Sequence, residues 1–288
     1  MIDIHSHTNY SDGSFTVKEL LEKANKINLV VLSITDHNTI DAYLELNDFN
    51  IRKLFKGNII AGVELTTTYK GEVIEILGYC FDLDIMKDLI TSTYYTFSDK
   101  QKREYNLIRD KFINIGIKFN ENNIKFNPNI ESSRNAFWKE IIKYPENYKY
   151  FYNKDSLTNK TNFTRYEIYN PKSKLYVNEE ILFPSLEKVI ELVHKANGLT
   201  FLAHTFEYSS NIKNELDNII NNYNLDGLEC FYTTFNEEQT NFLVNTCKRK
   251  HLYMSGGSDF HGFRKTNHEL GNLNIDNKII KSWIKNYL

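Results

Sequence analysis

The sequence predicts an α/β fold in which seven short strands alternate with helices, interrupted by a mainly helical insert. Short apolar runs such as residues 29–34 are typical of strands that are buried on both faces of a parallel sheet. The segments between these runs repeat apolar residues at helical spacing, and the alternation stops between residues 86 and 183. Because parallel strands joined by helices point the same way, closure into a barrel would bring all the strand ends together.

The segments before the insert form the first part of the predicted barrel, residues 1–85. Residues 16–26 place apolar side chains on one helical face, with Thr16 in a position to cap the helix. In chain order, the predicted strands cover residues 1–4, 29–34, 59–63 and 73–77, and a second helix covers residues 39–55.

The insert, residues 86–183, is polar, rich in aromatic residues and mainly helical. Helices are predicted over residues 99–116 and 134–144, whereas residues 148–170 have no regular pattern. The alternation resumes at Pro184, with strands over 199–203, 227–231 and 253–255 and helices over 185–196, 212–222 and 237–250. We therefore predict a barrel formed by residues 1–85 and 184–288, and an inserted lid domain that binds substrate.

The composition indicates a globular protein and excludes several functional classes. Hydrophobic residues make up 41% and charged residues 25% of the 288 residues, which argues against wholesale disorder. The net charge of −2 gives no basic surface of the kind that binds duplex nucleic acid, although a small anionic substrate needs only a local positive site. No apolar run approaches the roughly 18 residues that a membrane-spanning helix needs.

Cysteine usage and the N-terminus favour a cytoplasmic protein. Cys80, Cys230 and Cys247 are odd in number and far apart in the sequence, which indicates reduced thiols rather than a disulfide framework. The first strand starts at residue 1 and His5 follows at once, so we expect no signal peptide.

Acidic and imidazole side chains recur at the predicted strand ends. His5 and His7 lie two residues apart at the end of the first strand, so both rings can face the same side. Asp12 follows in a Ser-Asp-Gly turn that can fold its carboxylate back over the same point. The corresponding positions after later strands are occupied by His37, Glu64, Glu75, His204, Asp259 and His261.

Each of these residues alone has an ordinary explanation, such as a helix cap, a buried histidine or turn chemistry. Together they bring nine ionisable groups to the strand ends, where burial without compensation is unfavourable. Divalent metal ions are the obvious compensation, because imidazole and carboxylate groups are their common ligands. The remaining histidines lie on predicted helices or loops and are expected to be ordinary: His194, His251 and His268.

The ordered motifs resemble those of the PHP (polymerase and histidinol phosphatase) family of metal-dependent phosphoesterases. The matching stretches are His5-Ser6-His7, Ser11-Asp12-Gly13, Thr35-Asp36-His37, Gly62-Val63-Glu64, Ile76-Leu77-Gly78-Tyr79, Leu202-Ala203-His204 and Gly257-Ser258-Asp259-Phe260-His261. Similarity to the small stand-alone members that act on nucleoside bisphosphates and short nucleotides extends to Lys102-Arg103, Ser133-Arg134-Asn135 and Pro184-Ser185-Leu186. The resemblance implies a distorted seven-stranded, TIM-like barrel with up to three metal ions.

The resemblance also implies how the ligands are shared. By motif position, one metal would be held by His5, His7, Glu64 and Asp259, a second by Glu64, Glu75 and His204, and a third by Asp12, His37 and His261. Two positions depart from the family pattern, since Glu75 stands where a histidine is usual and Thr205 where a proline is usual. A carboxylate in place of an imidazole hardens the second site, which favours manganese, iron or magnesium over zinc.

The leading functional prediction is hydrolysis of a phosphomonoester of a small substrate, a nucleotide or nucleoside bisphosphate, by a water activated by two or three divalent metal ions. The residues predicted to take part in catalysis are Asp12, Asp36, His37 and His261. Asp36 is expected to orient an imidazole or to help move a proton. The residues predicted to bind substrate are Arg134, Arg103 and Lys265. Arg134 is the strongest of these, because a guanidinium can bind two phosphate oxygens at once.

Three other functions fit the same motifs. The same metals could trim an oligonucleotide from its 5′ end as an exonuclease, and the near-neutral charge then favours short substrates. Glu75 is the feature that favours a non-catalytic binding domain with a decayed site. An amidohydrolase would also use paired histidines, but Asp12 and the Asp-Phe-His motif fit phosphoester chemistry better. The expected partners are a small phosphorylated substrate, phosphate and, in the exonuclease case, a short oligonucleotide.

Overall fold

The structure, a computed structural model, describes residues 1–208, 210–273 and 283–286. Its chain divides into two compact units. The first unit comprises Met1–Thr67, Ile74–Thr93 and Ser185–Leu288, and the second comprises Thr68–Val73 and Tyr94–Pro184. Most of the segment predicted as an insert therefore belongs to the second unit, whereas residues 86–93 belong to the first.

The described residues form a mixed α/β structure with eight strands in two sheets. One sheet contains the parallel strands β1 (Ile2–Asp3), β2 (Val31–Leu32) and β3 (Asn58–Ile59). The other contains, in spatial order, β4 (Gly62–Tyr69), β5 (Glu72–Tyr79), β6 (Leu199–Leu202), β7 (Gly227–Tyr232) and β8 (Tyr253–Gly257). In this second sheet β6, β7 and β8 are parallel, and β5 is antiparallel to β6.

Two isolated β-bridges connect segments of the two sheets. Ser6 pairs with Phe260 and His37 pairs with Glu64, both in parallel orientation. The His7 amide adds a hydrogen bond to the Phe260 carbonyl at 2.8 Å. The chain segments that carry the predicted ligands are therefore neighbours within the first unit.

A single seven-stranded barrel is not confirmed. The predicted strand over residues 59–63 is interrupted after Ile59, so β3 and β4 are separate strands. Lys70 and Gly71 then turn the chain with φ angles of +49° and +83°, a backbone geometry found in two-residue hairpins. A connection of this length leaves no room for a crossover helix, and β5 pairs antiparallel with β6 instead of extending an all-parallel sheet.

α-Helices cover most segments between the strands. In chain order they are α1 (Val17–Lys26), α2 (Ala42–Glu45), α3 (Phe49–Arg52), α4 (Leu83–Thr93), α5 (Phe97–Ile115), α6 (Ser133–Ile141), α7 (Lys160–Phe163), α8 (Leu186–Lys195), α9 (Ser210–Asn222) and α10 (Glu237–Lys250). The α1 helix begins with a reciprocal capping box between Thr16 and Glu19. The single helix predicted over residues 39–55 is wrong, because Asp48 accepts a hydrogen bond from the Asn50 amide at 2.7 Å and starts a separate turn.

The second unit has a hydrophobic core of its own. Phe112 of α5, Phe137 of α6 and Phe163 of α7 are completely buried in it. The long α5 helix stops at Gly116, whose φ of +80° gives the left-handed cap that glycine adopts without strain. Among the residues that the structure describes, no helix has both the length and the apolar character needed to cross a bilayer.

Candidate metal centre

The segment after β1 places two imidazoles against two buried carboxylates. Strand alternation points His5 and His7 to the same side, while Ser6 between them donates to a backbone carbonyl. The Nε2 atom of His5 lies 3.4 Å from Glu64 Oε1 and 3.5 Å from Asp259 Oδ1. The Nε2 atom of His7 lies 3.2 Å from Glu64 Oε2 and 3.2 Å from Asp259 Oδ1. We call these four buried residues the inner cluster: His5, His7, Glu64 and Asp259.

A second group forms around Asp12, and we call it the outer cluster: His7, Asp12, His37 and His261. Asp12 Oδ1 lies 2.9 Å from His261 Nε2 and 3.7 Å from His37 Nε2. The Nδ1–H of His261 donates to the Asp259 carbonyl at 2.8 Å, which leaves Nε2 facing Asp12. The Asp12 side chain is 51% exposed, so this cluster borders solvent whereas the inner cluster does not.

A third group, the bridging cluster, consists of His37, Glu64 and Glu75. His37 Nδ1 lies 3.3 Å from Glu64 Oε2 and 3.4 Å from Glu75 Oε1. His204 adds its Nε2 atom, 2.8 Å from Glu64 Oε1 and 3.1 Å from Glu75 Oε2. Glu64 therefore belongs to two clusters, and all nine predicted ligands form one connected group.

The chemistry of this group fits divalent metal ions. Ligands that lie about 2.1 Å from a shared ion, about 90–110° apart, are about 3.0–3.4 Å from one another. The separations of His7 and His37 from Glu64, at 3.2 and 3.3 Å, fall in that range. Within the described residues, five ring nitrogens of these histidines are buried without a hydrogen bond, namely His5 Nε2, His7 Nε2, His37 Nδ1, His204 Nδ1 and His261 Nε2. Lone pairs on these nitrogens and the carboxylate oxygens are suitable donors for manganese, iron or zinc.

The electrostatics of the group also favour cation binding. Burial alone lowers the pKa of an imidazole, but the adjacent carboxylates outweigh it and raise the pKa of His7 to about 9 and that of His204 to about 10. Burial raises the pKa of a carboxyl, yet the imidazoles hold the pKa of Glu64 and Asp259 well below the usual range. Without metal, protons on the rings therefore compensate the carboxylates, and divalent ions can replace those protons.

The sequence profile of the PHP domain family matches residues 3–236. This chain belongs to the PHP family. It is 27% identical over 290 residues to a 5′-3′ exoribonuclease of Haemophilus influenzae, an alignment that covers 98% of each protein. It is 23% identical over 261 residues to the 5′-3′ exoribonuclease Rnm of Escherichia coli, covering 90% of this chain and 84% of that protein. The family match and these relatives together indicate that the chain is a hydrolase that acts on phosphoric esters.

Solved structures share the fold of this PHP domain. A proposed metal-dependent phosphoesterase of Bifidobacterium adolescentis superposes with a TM-score of 0.66 at 22% identity, covering 99% of this chain and 95% of the other. An amidohydrolase of Chromobacterium violaceum, solved with bound sulfate and no metal, gives a TM-score of 0.66 at 19% identity, covering 95% and 91%. At these identities the likeness extends to the fold alone.

Sequence reasoning missed two buried carboxylates that contact the ligands of the PHP domain. Glu229 on β7 contacts the His5 ring, and Asp3 on β1 accepts hydrogen bonds from the backbone amides of His5 and Ser258 at 3.3 and 2.9 Å. Both acids are completely buried. The available signal was a single carboxylate inside an otherwise apolar strand, where burial requires a specific partner.

Asp36 is placed differently from its predicted role. Its carboxylate accepts hydrogen bonds from the Thr8 amide at 2.8 Å and from the hydroxyls of Thr8 and Ser11 at 2.5 Å. Contact with a ligand is indirect, because the Ser11 hydroxyl lies 3.5 Å from His7 Nδ1. Asp36 therefore holds the loop that leads to Asp12 rather than bonding an imidazole itself.

The predicted substrate-binding residues are divided between the two units. Lys265 in the first unit contacts a candidate ligand, with its Nζ 2.7 Å from Asp259 Oδ2. Arg134 and Arg103 lie in the second unit. The Nε atom of Arg134 lies 3.2 Å from Glu104 Oε1, and the Arg103 guanidinium lies 4.2 Å from the centre of a tyrosine ring. Binding of substrate by these three residues stays a prediction.

Proposed function

We propose that this PHP protein hydrolyses the phosphodiester bonds of short RNA from the 5′ end, using two or three divalent metal ions. The observation that carries the proposal is the connected group of nine candidate ligands, in which each of the five imidazoles has one buried ring nitrogen without a hydrogen bond. The end-to-end similarity to relatives named 5′-3′ exoribonuclease supports RNA as the substrate. A net charge of −2 favours a short chain over a long polyanion.

The inner, outer and bridging clusters would each contribute ligands to these ions. Bound metal would lower the pKa of a coordinated water toward neutrality and neutralise charge on the phosphoryl oxygens. Glu64 lies in both the inner and the bridging cluster and holds their imidazoles in place. Asp12 and His37 are the more exposed members of the outer cluster, so a phosphate that enters would reach them before the buried His261. The Nδ1–H of His261 is fixed by a carbonyl, so its Nε2 lone pair would face Asp12 and any ion of the outer cluster.

Lys265 and Arg134 are proposed to bind substrate phosphates. The Lys265 side chain is 42% exposed while it pairs with Asp259, so it can also reach an incoming anion. Arg134 pairs through Nε with Glu104 and donates from one terminal nitrogen to the Tyr169 hydroxyl, so its remaining N–H groups would bind a phosphate. We also propose that the second unit acts as a lid. The first unit is proposed to be a distorted barrel, which the Ser6–Phe260 and His37–Glu64 bridges support.

A nucleoside 3′,5′-bisphosphate is the second candidate substrate, because it presents the same phosphate next to a single nucleoside. The test is to incubate the protein and Mn²⁺ with a 5′-phosphorylated RNA of about six nucleotides, labelled at its 3′ end, and in parallel with the bisphosphate. Stepwise shortening that begins at the 5′ end is the expected result. If phosphate is released from the bisphosphate while the RNA stays intact, the result favours a phosphatase over an exoribonuclease. If neither substrate is turned over, both candidate functions are contradicted.

A further inference from the structure

We infer that Glu229 is a positioning residue that fixes two candidate ligands at once, His5 through its ring and His204 through its backbone, and so sets the metal affinity of the site. This inference rests on the metal-binding part of the proposed function. It does not depend on which phosphoester is the substrate.

The contacts of Glu229 join it to both ligands. Glu229 is completely buried on β7, a strand in which every residue is buried. Its Oε1 atom lies 2.8 Å from His5 Nδ1, and its Oε2 atom accepts a hydrogen bond from the His204 amide at 2.7 Å. Each carboxylate oxygen of Glu229 therefore faces a different candidate ligand.

The contact with His5 selects one form of its ring. A neutral imidazole has one N–H and one lone pair, and an ionised carboxylate can only accept. Next to Glu229 the proton must therefore lie on Nδ1, which leaves the lone pair on Nε2. That atom faces Glu64 and Asp259 at 3.4 and 3.5 Å, in the inner cluster. Glu229 thus presents the His5 lone pair to the position where the cluster would hold an ion.

The contact with His204 acts on the backbone. His204 has a φ of +20° and a ψ of 52°, which is an unfavourable conformation for a residue with a side chain. The hydrogen bond from its amide to Glu229 stabilises this conformation. The same conformation directs the His204 ring so that Nε2 reaches Glu64 at 2.8 Å and Glu75 at 3.1 Å.

Asp226, beside the start of β7, provides a matched control. Its Oδ2 atom lies 2.8 Å from His194 Nε2 and accepts from the Thr200 amide at 2.8 Å. Asp226 therefore makes the same two kinds of contact as Glu229, one to an imidazole and one to a backbone amide. His194, however, is not among the nine candidate ligands, and its ion-pair contact is with Asp226 instead of Glu64 or Glu75.

The experiment measures Mn²⁺ affinity by competition with a chelator in the wild type and in Glu229→Gln. A glutamine amide offers one acceptor where the site presents two donors, so one of the two ligands loses its support. We expect the Mn²⁺ affinity to fall about 10- to 100-fold in Glu229→Gln. Asp226→Asn is expected to keep the wild-type affinity, and an equal loss in both variants would overturn the inference.

Testing Glu229→Gln in a His5→Ala protein separates a loss of ligand positioning from a general loss of structure. With His5→Ala the ring is absent, so a glutamine at position 229 can turn its single acceptor to the His204 amide. Glu229→Gln is therefore expected to change Mn²⁺ affinity less than about twofold in the His5→Ala background, a strong non-additivity. The full loss in both backgrounds would show that Glu229 does not act through the His5 ring.

A measurement on the wild type covers the case in which Glu229→Gln does not fold. In protein loaded with Zn²⁺, side-chain ¹⁵N NMR is expected to show His5 protonated at Nδ1 and coordinated at Nε2. Coordination at Nδ1 would overturn the inference. Failure of the wild type to bind Mn²⁺ or Zn²⁺ would overturn the proposed function as well, whereas unchanged affinity in Glu229→Gln overturns the inference alone.

Discussion

Both units bury several carboxylates, but they compensate them in different ways. In the first unit, Glu64 and Asp259 face imidazoles across 2.8 to 3.5 Å, and Asp259 also pairs with Lys265 at 2.7 Å. In the second unit, the buried Glu104 pairs with the guanidinium of Arg134 at 3.2 Å. Buried acids therefore occur both in a candidate metal centre rich in imidazoles and in a site whose cation is a guanidinium.

The two sites differ in whether the cationic side chain beside the acids can lose its proton. Arg134 is always protonated, and burial together with the charge of Glu104 raises the pKa of Glu179 well above its ordinary value, which favours its neutral form. The second unit thus balances its own charge. An imidazole in the first unit can exchange its proton for a metal ion. The type of cation beside the acids, rather than their number, distinguishes the two sites.

The largest effect is expected when an acid of the inner cluster loses its charge. Asp259→Asn removes the charge of a candidate ligand that lies 3.2 Å from His7 Nε2. Loss of several kcal/mol of transition-state stabilisation by metal would lower kcat about 100- to 1,000-fold. The rate of RNA or bisphosphate hydrolysis in Mn²⁺ measures this, and far-UV circular dichroism checks that the fold is kept. A near-normal rate in Asp259→Asn would contradict the assignment of the inner cluster.

Exchange of protons for metal is the second prediction. At pH 7.5 the ring of His7, with a pKa of about 9, and that of His204, with a pKa of about 10, are protonated in the metal-free protein. Burial lowers the pKa of His5, but the charges of the adjacent carboxylates outweigh it and raise that pKa well above its ordinary value. Ligation requires neutral rings, so filling the connected group with Mn²⁺ should release at least two protons. Apparent affinity should then rise about tenfold per pH unit for each proton released, up to pH 9. Calorimetric titration in two buffers of different ionisation enthalpy counts the protons.

The pH dependence of stability in the metal-free protein checks whether the pKa values of His7 and His204 are raised. A raised imidazole pKa stabilises the fold fully below the ordinary value of about 6.5, and this stabilisation is lost as pH rises through 9 and 10. The melting temperature without metal should therefore fall between pH 7 and pH 10. Binding of Mn²⁺ without proton release, together with a flat stability profile, would show that the rings are neutral before metal binds.

The third prediction concerns the second unit, where removal of a charge should affect stability instead of metal binding. Glu104→Gln removes the acid that pairs with Arg134, a charged contact with an expected contribution of about 1–3 kcal/mol. Chemical denaturation measures the loss, and Mn²⁺ affinity should stay at the wild-type value. A drop in Mn²⁺ affinity in this variant would break the contrast between the two sites.

The candidate ligands could be predicted from sequence because their chemistry is visible in their residue type and they recur at predicted strand ends, although Glu64 and Glu75 lie inside β4 and β5. His5 and His7 needed only the two-residue period of a strand to be placed on one side. Glu229 could be seen as a lone acid in a buried strand, but its contact with His5 spans 224 positions, and no local pattern encodes that distance. Asp36 was found by its position, while its bonds to Thr8 and Ser11 depend on how the following loop folds.

Strand positions were predicted better than their connections. The turn at Lys70 and Gly71 escaped prediction because lysine is not among the residues that favour a positive φ, and the reversal it causes breaks the all-parallel order. The break at Asp48 was missed because a periodic apolar face does not show which polar side chain will start a new turn. The period of the apolar residues in a sequence shows which face of a helix or strand is buried. The direction of the chain after that element depends on individual residues in the turn.

The smallest effect is expected from Glu75→His, which replaces a bridging carboxylate with an imidazole. Glu75 lies 3.4 Å from His37 Nδ1 and 3.1 Å from His204 Nε2, so the substitution would give the bridging cluster a third imidazole neighbour. Nitrogen is a softer ligand than oxygen, so preference should move from Mn²⁺ toward Zn²⁺ by about tenfold. Competition between the two metals in wild type and variant measures the ratio. Because an imidazole at this position can also exchange its proton for a metal ion, the variant should still bind metal. An unchanged ratio of Zn²⁺ to Mn²⁺ affinity would show that Glu75 does not coordinate an ion.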